Sequence, residues 1–102
     1  MEKEIDELKK EFIKTLNPLK IYLFGSFANG KNNKDSDLDF YIIVKNSIEE
    51  ISKITTQAYK SIRNIKKRPI DILVSTEETF EKNKILPSIE YEVANKGILI
   101  YG

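Results

Sequence analysis

The strongest structural constraint in this sequence is Leu38–Val44, its most apolar run, in which β-branched and aromatic residues predominate. Such a composition is typical of a central strand. Residues 19–24 and 69–74 are two further short apolar runs, and residues 98–101 form a fourth. Proline is tolerated at the start of a strand, so Pro69 does not argue against the third run. We therefore predict a small sheet built around Leu38–Val44.

The segments around these strands have helical patterns. Residues 5–16 carry apolar side chains at helical spacing, and Asn17-Pro18 ends that helix because the residue before proline avoids the helical region. Ser47 with Glu50 forms a capping box that opens a helix over 48–65. Its predicted buried face is rich in isoleucine: Ile48, Ile51, Ile54, Ala58, Ile62 and Ile65.

Two shorter helices are predicted towards the end of the chain. Ser75 and Glu78 repeat the capping-box pattern before a helix around Phe80. Pro87 fits the first turn of the next helix, and Gly97 its C-terminal cap. Its predicted buried face consists of Ile89, Val93 and Ala94.

These elements define the expected fold class. The order is α-β-(α)-β-α-β-α-α-β, in which residues 25–36 form a polar loop or a short helix. This order predicts an α/β (α+β) domain with a small mixed β-sheet packed with helices. A chain of 102 residues has room for one ordinary core, so we expect a single domain over 1–102.

The composition restricts the chemistry that the protein can perform. The sequence has no cysteine and no histidine, which excludes disulfides, thiolate or imidazole metal sites and a Ser-His triad. Carboxylates, hydroxyls, amines and backbone amides remain, together with a metal held by oxygen, for which magnesium, calcium or manganese is favoured. The formal net charge of +1 argues against direct binding of nucleic acid.

The N-terminus indicates where the protein is located. Its first seven residues include five charged ones, four acidic and one basic, and lack the apolar segment of a signal peptide. No apolar run approaches the ~20 residues that a membrane span needs. We expect a cytoplasmic protein that does not contact the membrane.

The most informative pattern is Gly25-Ser26, then ten residues, then Asp37-Leu38-Asp39. Gly25 allows the backbone to turn and to approach a ligand closely, and free amides with the Ser26 hydroxyl can hold phosphate oxygens. Asp37 and Asp39 are two apart at the start of a strand, so their carboxylates project from one face with Cα atoms roughly 6–7 Å apart. Such a pair can hold magnesium over a bound triphosphate.

Asp71 is a third candidate because it lies within the apolar strand 69–74. A charge there is costly unless it is paired or bound to a metal. If this strand neighbours Leu38–Val44, Asp71 joins Asp37 and Asp39 as a metal ligand, a general base or both.

Each feature also has a simpler interpretation. Gly25-Ser26 alone fits an ordinary turn, residues 35–37 fit loop residues, and Asp71 fits an edge-strand charge paired with Arg68. A single catalytic arrangement accounts for all three features together. A calcium loop starting at Asp35 is excluded because its sixth position would be Phe40, where glycine is needed.

Gly25-Ser26-Phe27-Ala28-Asn29-Gly30, followed by Ser36-Asp37-Leu38-Asp39-Phe40, resembles the minimal nucleotidyltransferases of the polymerase-beta superfamily. The resemblance covers most of the chain, and it implies the polymerase-beta-like fold. It implies that Asp37, Asp39 and Asp71 bind Mg²⁺ and that Gly25 and Ser26 hold the phosphates of ATP. The implied reaction transfers AMP to an acceptor hydroxyl with release of pyrophosphate.

Proteins of this type are commonly antitoxin partners of HEPN-domain toxins, and some add AMP to a tyrosine of the toxin. The resemblance therefore implies a HEPN-domain partner, in a homo- or hetero-oligomer. Two alternatives remain: a non-catalytic module that masks its partner stoichiometrically, and nucleotidyl transfer to an RNA end or a small molecule.

The sequence departs from its relatives after Gly25-Ser26, where many of them carry arginine and this chain has Phe27 and Asn29. Lys31 or Lys34 is expected to supply the positive charge, without the bidentate geometry of arginine. The cluster of Arg63, Lys66, Lys67 and Arg68 is expected to be a solvated helix end, in which Arg68 is close enough to Asp71 to help bind phosphate. Tyr41, Tyr59, Tyr91 and Tyr101 are expected to be half-buried packing residues.

Overall fold

The computed structural model describes residues 2–28, 30, 37–46 and 50–102. Within these residues the chain forms four helices and four strands. The helices are α1 (Glu2–Leu16), α2 (Ile51–Ile62), α3 (Glu77–Asn83) and α4 (Ile89–Lys96). The strands are β1 (Lys20–Phe24), β2 (Leu38–Val44), β3 (Ile70–Thr76) and β4 (Ile98–Tyr101).

The strands form one mixed sheet in the order β3-β2-β1-β4. β1 pairs with β2 and with β4 in antiparallel orientation, whereas β2 pairs with β3 in parallel. A parallel pair needs a crossover connection, which α2 provides here. The predicted α+β class with a small mixed sheet is confirmed, and β2 is an interior strand as its composition indicates.

The main hydrophobic core lies between the sheet and helices α1 and α2. Alternate residues of β2 point into it, and the ring of Phe40 packs edge-on against Phe12 of α1 at 5.2 Å between centroids. The predicted isoleucine face of α2 is buried at Ile54, Ala58 and Ile62. The helix therefore contributes its apolar face to the core, as its periodicity indicates.

The opposite face of the sheet carries a smaller cluster under α3 and α4. It consists of buried Tyr41, Ile43, Phe80 and Val93, with Tyr22 and Phe24 packed against them. The hydroxyl of Tyr41 donates a hydrogen bond to Oε2 of Glu90 at 2.7 Å, which attaches α4 to β2. Burial, above all, raises the pKa of the Tyr41 hydroxyl, so that it stays protonated and remains a donor.

The helix boundaries differ in places from those predicted. α1 ends at Leu16, and Asn17 takes a left-handed φ of 49° before Pro18, a conformation that asparagine tolerates. α2 begins at Ile51 rather than at residue 48, because Glu50 is its extended N-cap residue, and it ends at Ile62 rather than at 65. The predicted capping residue Ser47 and Ile48 lie outside the described residues.

Both later helices begin after the predicted position. β3 continues through Ser75 to Thr76, and the hydroxyl of Thr76, not Ser75, accepts the amide of Thr79 at 3.2 Å. Ser88 is the N-cap of α4 and accepts the amide of Tyr91 at 3.2 Å, so Pro87, predicted in the first turn, lies before the helix. Gly97 follows α4 as its C-cap, as predicted, and donates its amide to the carbonyl of Val93.

Several residues are more exposed than predicted. In α4 only Val93 is buried, whereas Ile89 and Ala94 are exposed. Of the four tyrosines expected to be half-buried, Tyr41 is fully buried, Tyr59 and Tyr91 are exposed, and Tyr101 is intermediate. Among the described helices, none has the length and apolar character to cross a membrane.

Ser88 is expected to be important for stability because its hydroxyl connects α3 to α4. It accepts the amide of Tyr91 and also donates to the carbonyl of Asn83 at 2.7 Å. Replacing Ser88 with alanine removes both contacts and should lower the free energy of unfolding by about 1–2 kcal/mol, measured by urea denaturation. Ser52→Ala, at an exposed position of α2, is the matched control and should change it by less than about 0.5 kcal/mol. Equal losses in the two variants would contradict this role.

Candidate active site

Strand pairing brings two of the three predicted carboxylates together. In the parallel register of β2 and β3, Asp39 lies directly opposite Asp71. Both side chains project from the face of the sheet that carries Tyr41, away from the main core. The carboxyl groups are within hydrogen-bonding reach of each other. The condition for Asp71 to join the site, that its strand neighbours β2, is therefore met.

Gly25 lies against the same carboxyl group. Phe24, at the end of β1, pairs with Asp39, and the chain turns immediately afterwards at Gly25, whose φ is +78°. A Cβ atom at Gly25 would overlap Oδ2 of Asp39. Glycine is thus required twice at this position, by the backbone conformation and by the close approach of the carboxylate.

Ser26 and the residues after it are only partly described. Residues 25–28 form turns, so Ser26 is not at the N-terminus of a helix within the described part of the chain. Ser26 is half-exposed beside Gly25, and Phe27 packs against the main core. Asn29, Lys31 and Lys34, considered above for the phosphate-binding loop, lie outside the described residues.

Asp37 lies one residue before β2 and is exposed. Its negative charge acts on Asp39 and contributes to raising the pKa of that group. Among the residues that the structure describes, no three acidic side chains converge as a complete metal-ligand set. Asp39 and Asp71 form the close pair, and Asp37 is an exposed neighbour of it.

The environment of Asp39 favours its protonated form. Burial, followed by the hydrogen bond and the charge of Asp71 and then the charge of Asp37, raises the pKa of Asp39 to about 6. Two carboxyl groups in contact must share a proton or be bridged by a cation, because two bare negative charges repel each other. The donor set is purely oxygen, which suits a hard divalent cation such as Mg²⁺. The residues present therefore fit the metal that this arrangement implies.

Arg68 has a different partner from the one considered from sequence. Its guanidinium group contacts the carboxylate of Glu4 on α1, with Nη2 to Oε1 at 3.0 Å and Nε to Oε2 at 3.2 Å. Both side chains are nearly buried. This ion pair fixes the segment before β3 to α1. Arg63, Lys66 and Lys67 are exposed, which agrees with a solvated helix end.

Tyr59 was not identified from sequence as part of the site. Its hydroxyl accepts the backbone amide of Ile72, the residue after Asp71, at 2.9 Å. The periodicity of α2 places Tyr59 next to the buried face but cannot show that it reaches β3. Only the packing of α2 on the sheet shows this.

The nucleotidyltransferase domain family model matches residues 5–100. The chain therefore belongs to this family and is a nucleotidyltransferase. Among curated proteins, none matches the chain.

Solved structures share the fold. A presumed nucleotidyltransferase from Sulfolobus solfataricus has a TM-score of 0.60 and 18% identity, over 95% of this chain and 76% of that one. A toxin–antitoxin structure with AMP-PNP has a TM-score of 0.54 and 17% identity, over 99% of this chain and 73% of that one. A mutant of the toxin–antitoxin MntA–HpeT has a TM-score of 0.53 and 15% identity, over 100% and 73% of the two chains. At these identities the likeness establishes the fold.

Two glycine substitutions separate the effect of the Asp39 contact from that of backbone strain. Gly25 and Gly30 both have positive φ, but a Cβ at Gly30 would meet nothing within 4 Å. We expect Gly30→Ala to cost about 1 kcal/mol of unfolding free energy from the left-handed conformation alone. Gly25→Ala should cost at least about 1 kcal/mol more, because it also displaces Asp39. Equal costs in thermal or urea unfolding would show that the contact with Asp39 is unimportant.

The raised pKa of Asp39 predicts how stability depends on pH without divalent cations. Between the ordinary value of 3.8 and the folded value of about 6, the folded state binds more protons than the unfolded state. Stability contributed by this group is therefore present at low pH and is lost as the pH rises from about 4 to 6. Asp39→Asn should abolish this contribution, as judged from urea midpoints across that range. The same pH dependence in wild type and variant would contradict the assignment.

Proposed function

We propose that the protein is a cytoplasmic, Mg²⁺-dependent nucleotidyltransferase of one catalytic domain that moves AMP from ATP to a tyrosine hydroxyl of a partner protein. We further propose that it is the antitoxin of a pair whose toxin has a HEPN domain. The observation that carries the catalytic part is the parallel register that sets Asp39 opposite Asp71, with Gly25 against Asp39. The pair of carboxylates therefore lies beside the turn at Gly25, where the phosphates of ATP could approach the backbone.

In this proposal Asp37, Asp39 and Asp71 hold Mg²⁺, and Gly25 and Ser26 hold the phosphates of ATP. The bound cation supplies positive charge that stabilises the attacking and leaving oxygens. Gly25, which lacks a Cβ, lets the phosphate chain come close to the backbone next to Asp39. The half-exposed Ser26 offers its hydroxyl and amide to the same oxygens.

The transfer forms one bond and breaks one. The acceptor oxygen bonds to the α-phosphorus of ATP, the bond from that phosphorus to the bridging oxygen breaks, and pyrophosphate leaves. The proton of the acceptor hydroxyl goes to Asp71, which is exposed on the edge strand and accessible to an incoming side chain. Asp39 is more deeply placed, and burial raises its pKa to about 6.

A protein acceptor is supported by the surface around α4 and by the structural relatives. Ile85, Leu86, Ile89 and Tyr91 are exposed apolar residues at the turn between α3 and α4 and on α4 itself. Clustered exposed apolar residues mark protein contacts. Two of the structures with this fold are toxin–antitoxin proteins, one of them with AMP-PNP. The same surface also supports the alternative function, in which the protein binds its partner stoichiometrically and masks it without catalysing a reaction.

The test is transfer of mass from ATP to the partner. Wild-type protein, the co-expressed partner, ATP and Mg²⁺ are incubated, and the partner is weighed by intact-protein mass spectrometry. We expect one or more AMP units on a tyrosine of the partner. Asp37→Asn combined with Asp39→Asn should reduce the rate at least about 100-fold, because the metal-binding carboxylates are lost.

The control for folding is Asp6→Asn, which removes an exposed carboxylate of α1 that pairs with Lys9 and Lys10. It should transfer AMP at the wild-type rate. Unmodified partner that still binds both the wild type and the double variant, and is inhibited by both, would contradict catalysis and favour masking. Added mass from another nucleotide, or on RNA, would contradict the proposed substrate.

A further inference from the structure

Asp71 is located on a strand that is paired on only one side. β3 is an edge strand, bonded to β2 alone within the sheet. In a parallel ladder, alternate residues direct their backbone groups towards the partner strand, and the residues between them direct theirs outwards. The outer backbone groups of an edge strand have no strand partner.

The outer side of β3 is bonded at Ile72, the residue next to Asp71. The hydroxyl of Tyr59 accepts the amide of Ile72 at 2.9 Å, from a helix that precedes β3 in the chain. Next to Asp71, the backbone of Ile72 is therefore bonded to α2 on the outer side of the strand. On the inner side, β3 is bonded to β2.

Burial of the ring does not explain the presence of a tyrosine at this position. Tyr59 is 40% exposed, whereas Ala58 and Ile62 of the same helix are fully buried in the main core. The ring thus contributes little to the core, and its specific contact is the one made by the hydroxyl. Phenylalanine could make the packing contacts but could not accept the amide.

We propose that Tyr59 is a positioning residue that holds Asp71 in register with Asp39. Asp39 and Asp71 face each other across the pairing of β2 with β3, and the carboxyl group that can move is the one on the edge strand, which only β2 holds within the sheet. A second attachment on the outer side of β3 opposes that movement and preserves the spacing that a bound divalent cation requires. This inference rests on the proposed function for its catalytic readout.

Tyr59→Phe tests the proposal because it removes the hydroxyl and keeps the ring. We expect the amide of Ile72 to exchange with solvent about three- to tenfold faster by NMR, since a single hydrogen bond is lost. We expect the Mg²⁺ concentration for half-maximal AMP transfer to rise by about the same factor. Assays are made well below the unfolding midpoint of each variant.

Tyr101→Phe is the matched control, since it removes a tyrosine hydroxyl from β4 at the other edge of the sheet. It should leave both quantities unchanged. Faster exchange at Ile72 with an unchanged Mg²⁺ requirement would overturn the proposal and leave Tyr59 as an edge cap alone. Unchanged exchange would also overturn it, because the hydrogen bond would then have no effect on β3.

AMP transfer by the wild-type protein shows whether the proposed function fails or only the role of Tyr59. If it transfers no nucleotide, the catalytic proposal fails, and Tyr59 is then judged by Mn²⁺ broadening of the NMR signals of Asp71 and Ile72. A higher Mn²⁺ concentration for half-maximal broadening in Tyr59→Phe than in Tyr101→Phe supports positioning. Equal concentrations overturn it.

Discussion

The parallel pairing of β2 with β3 is the interaction on which the rest of the structure depends. It sets Asp39 opposite Asp71, and it requires a crossover, which α2 supplies. The same helix closes the main core with Ile54, Ala58 and Ile62. One element thus connects the two strands, covers them and holds the outer one through Tyr59.

This pairing places two acidic groups against each other, and they repel each other when both are ionised. The repulsion is offset by the strand that carries Asp39, since its alternate residues are buried in the main core. Phe40 and Ile42 are fully buried, so β2 cannot shift to relieve the contact without exposing apolar surface. Functional sites commonly carry local strain, and the buried residues around them supply the stability that maintains it.

The sequence was sufficient to predict the strands and the helix before them, because each has a short-range pattern. β2 was predicted from composition, and the meeting of Asp39 with Asp71 followed once the two strands were neighbours. The N-cap of α3 was misplaced by one residue because Ser75 and Thr76 are adjacent hydroxyl residues that can each serve, and α4 begins after Pro87 because Ser88, unlike proline, has a side-chain acceptor. The contacts of Arg68 with Glu4 and of Tyr59 with Ile72 could not be predicted, since they depend on how helices pack on the sheet.

The unequal covering of the two faces of the sheet has a consequence for how such a protein can diverge. The main core lies on the face of α1 and α2, whereas α3 and α4 are held by a smaller cluster and by the hydrogen bond between Tyr41 and Glu90. Substitutions in the exposed turn between α3 and α4 therefore leave the larger core intact. Selection can remodel that surface for a new partner while the strands that carry the carboxylates keep their architecture.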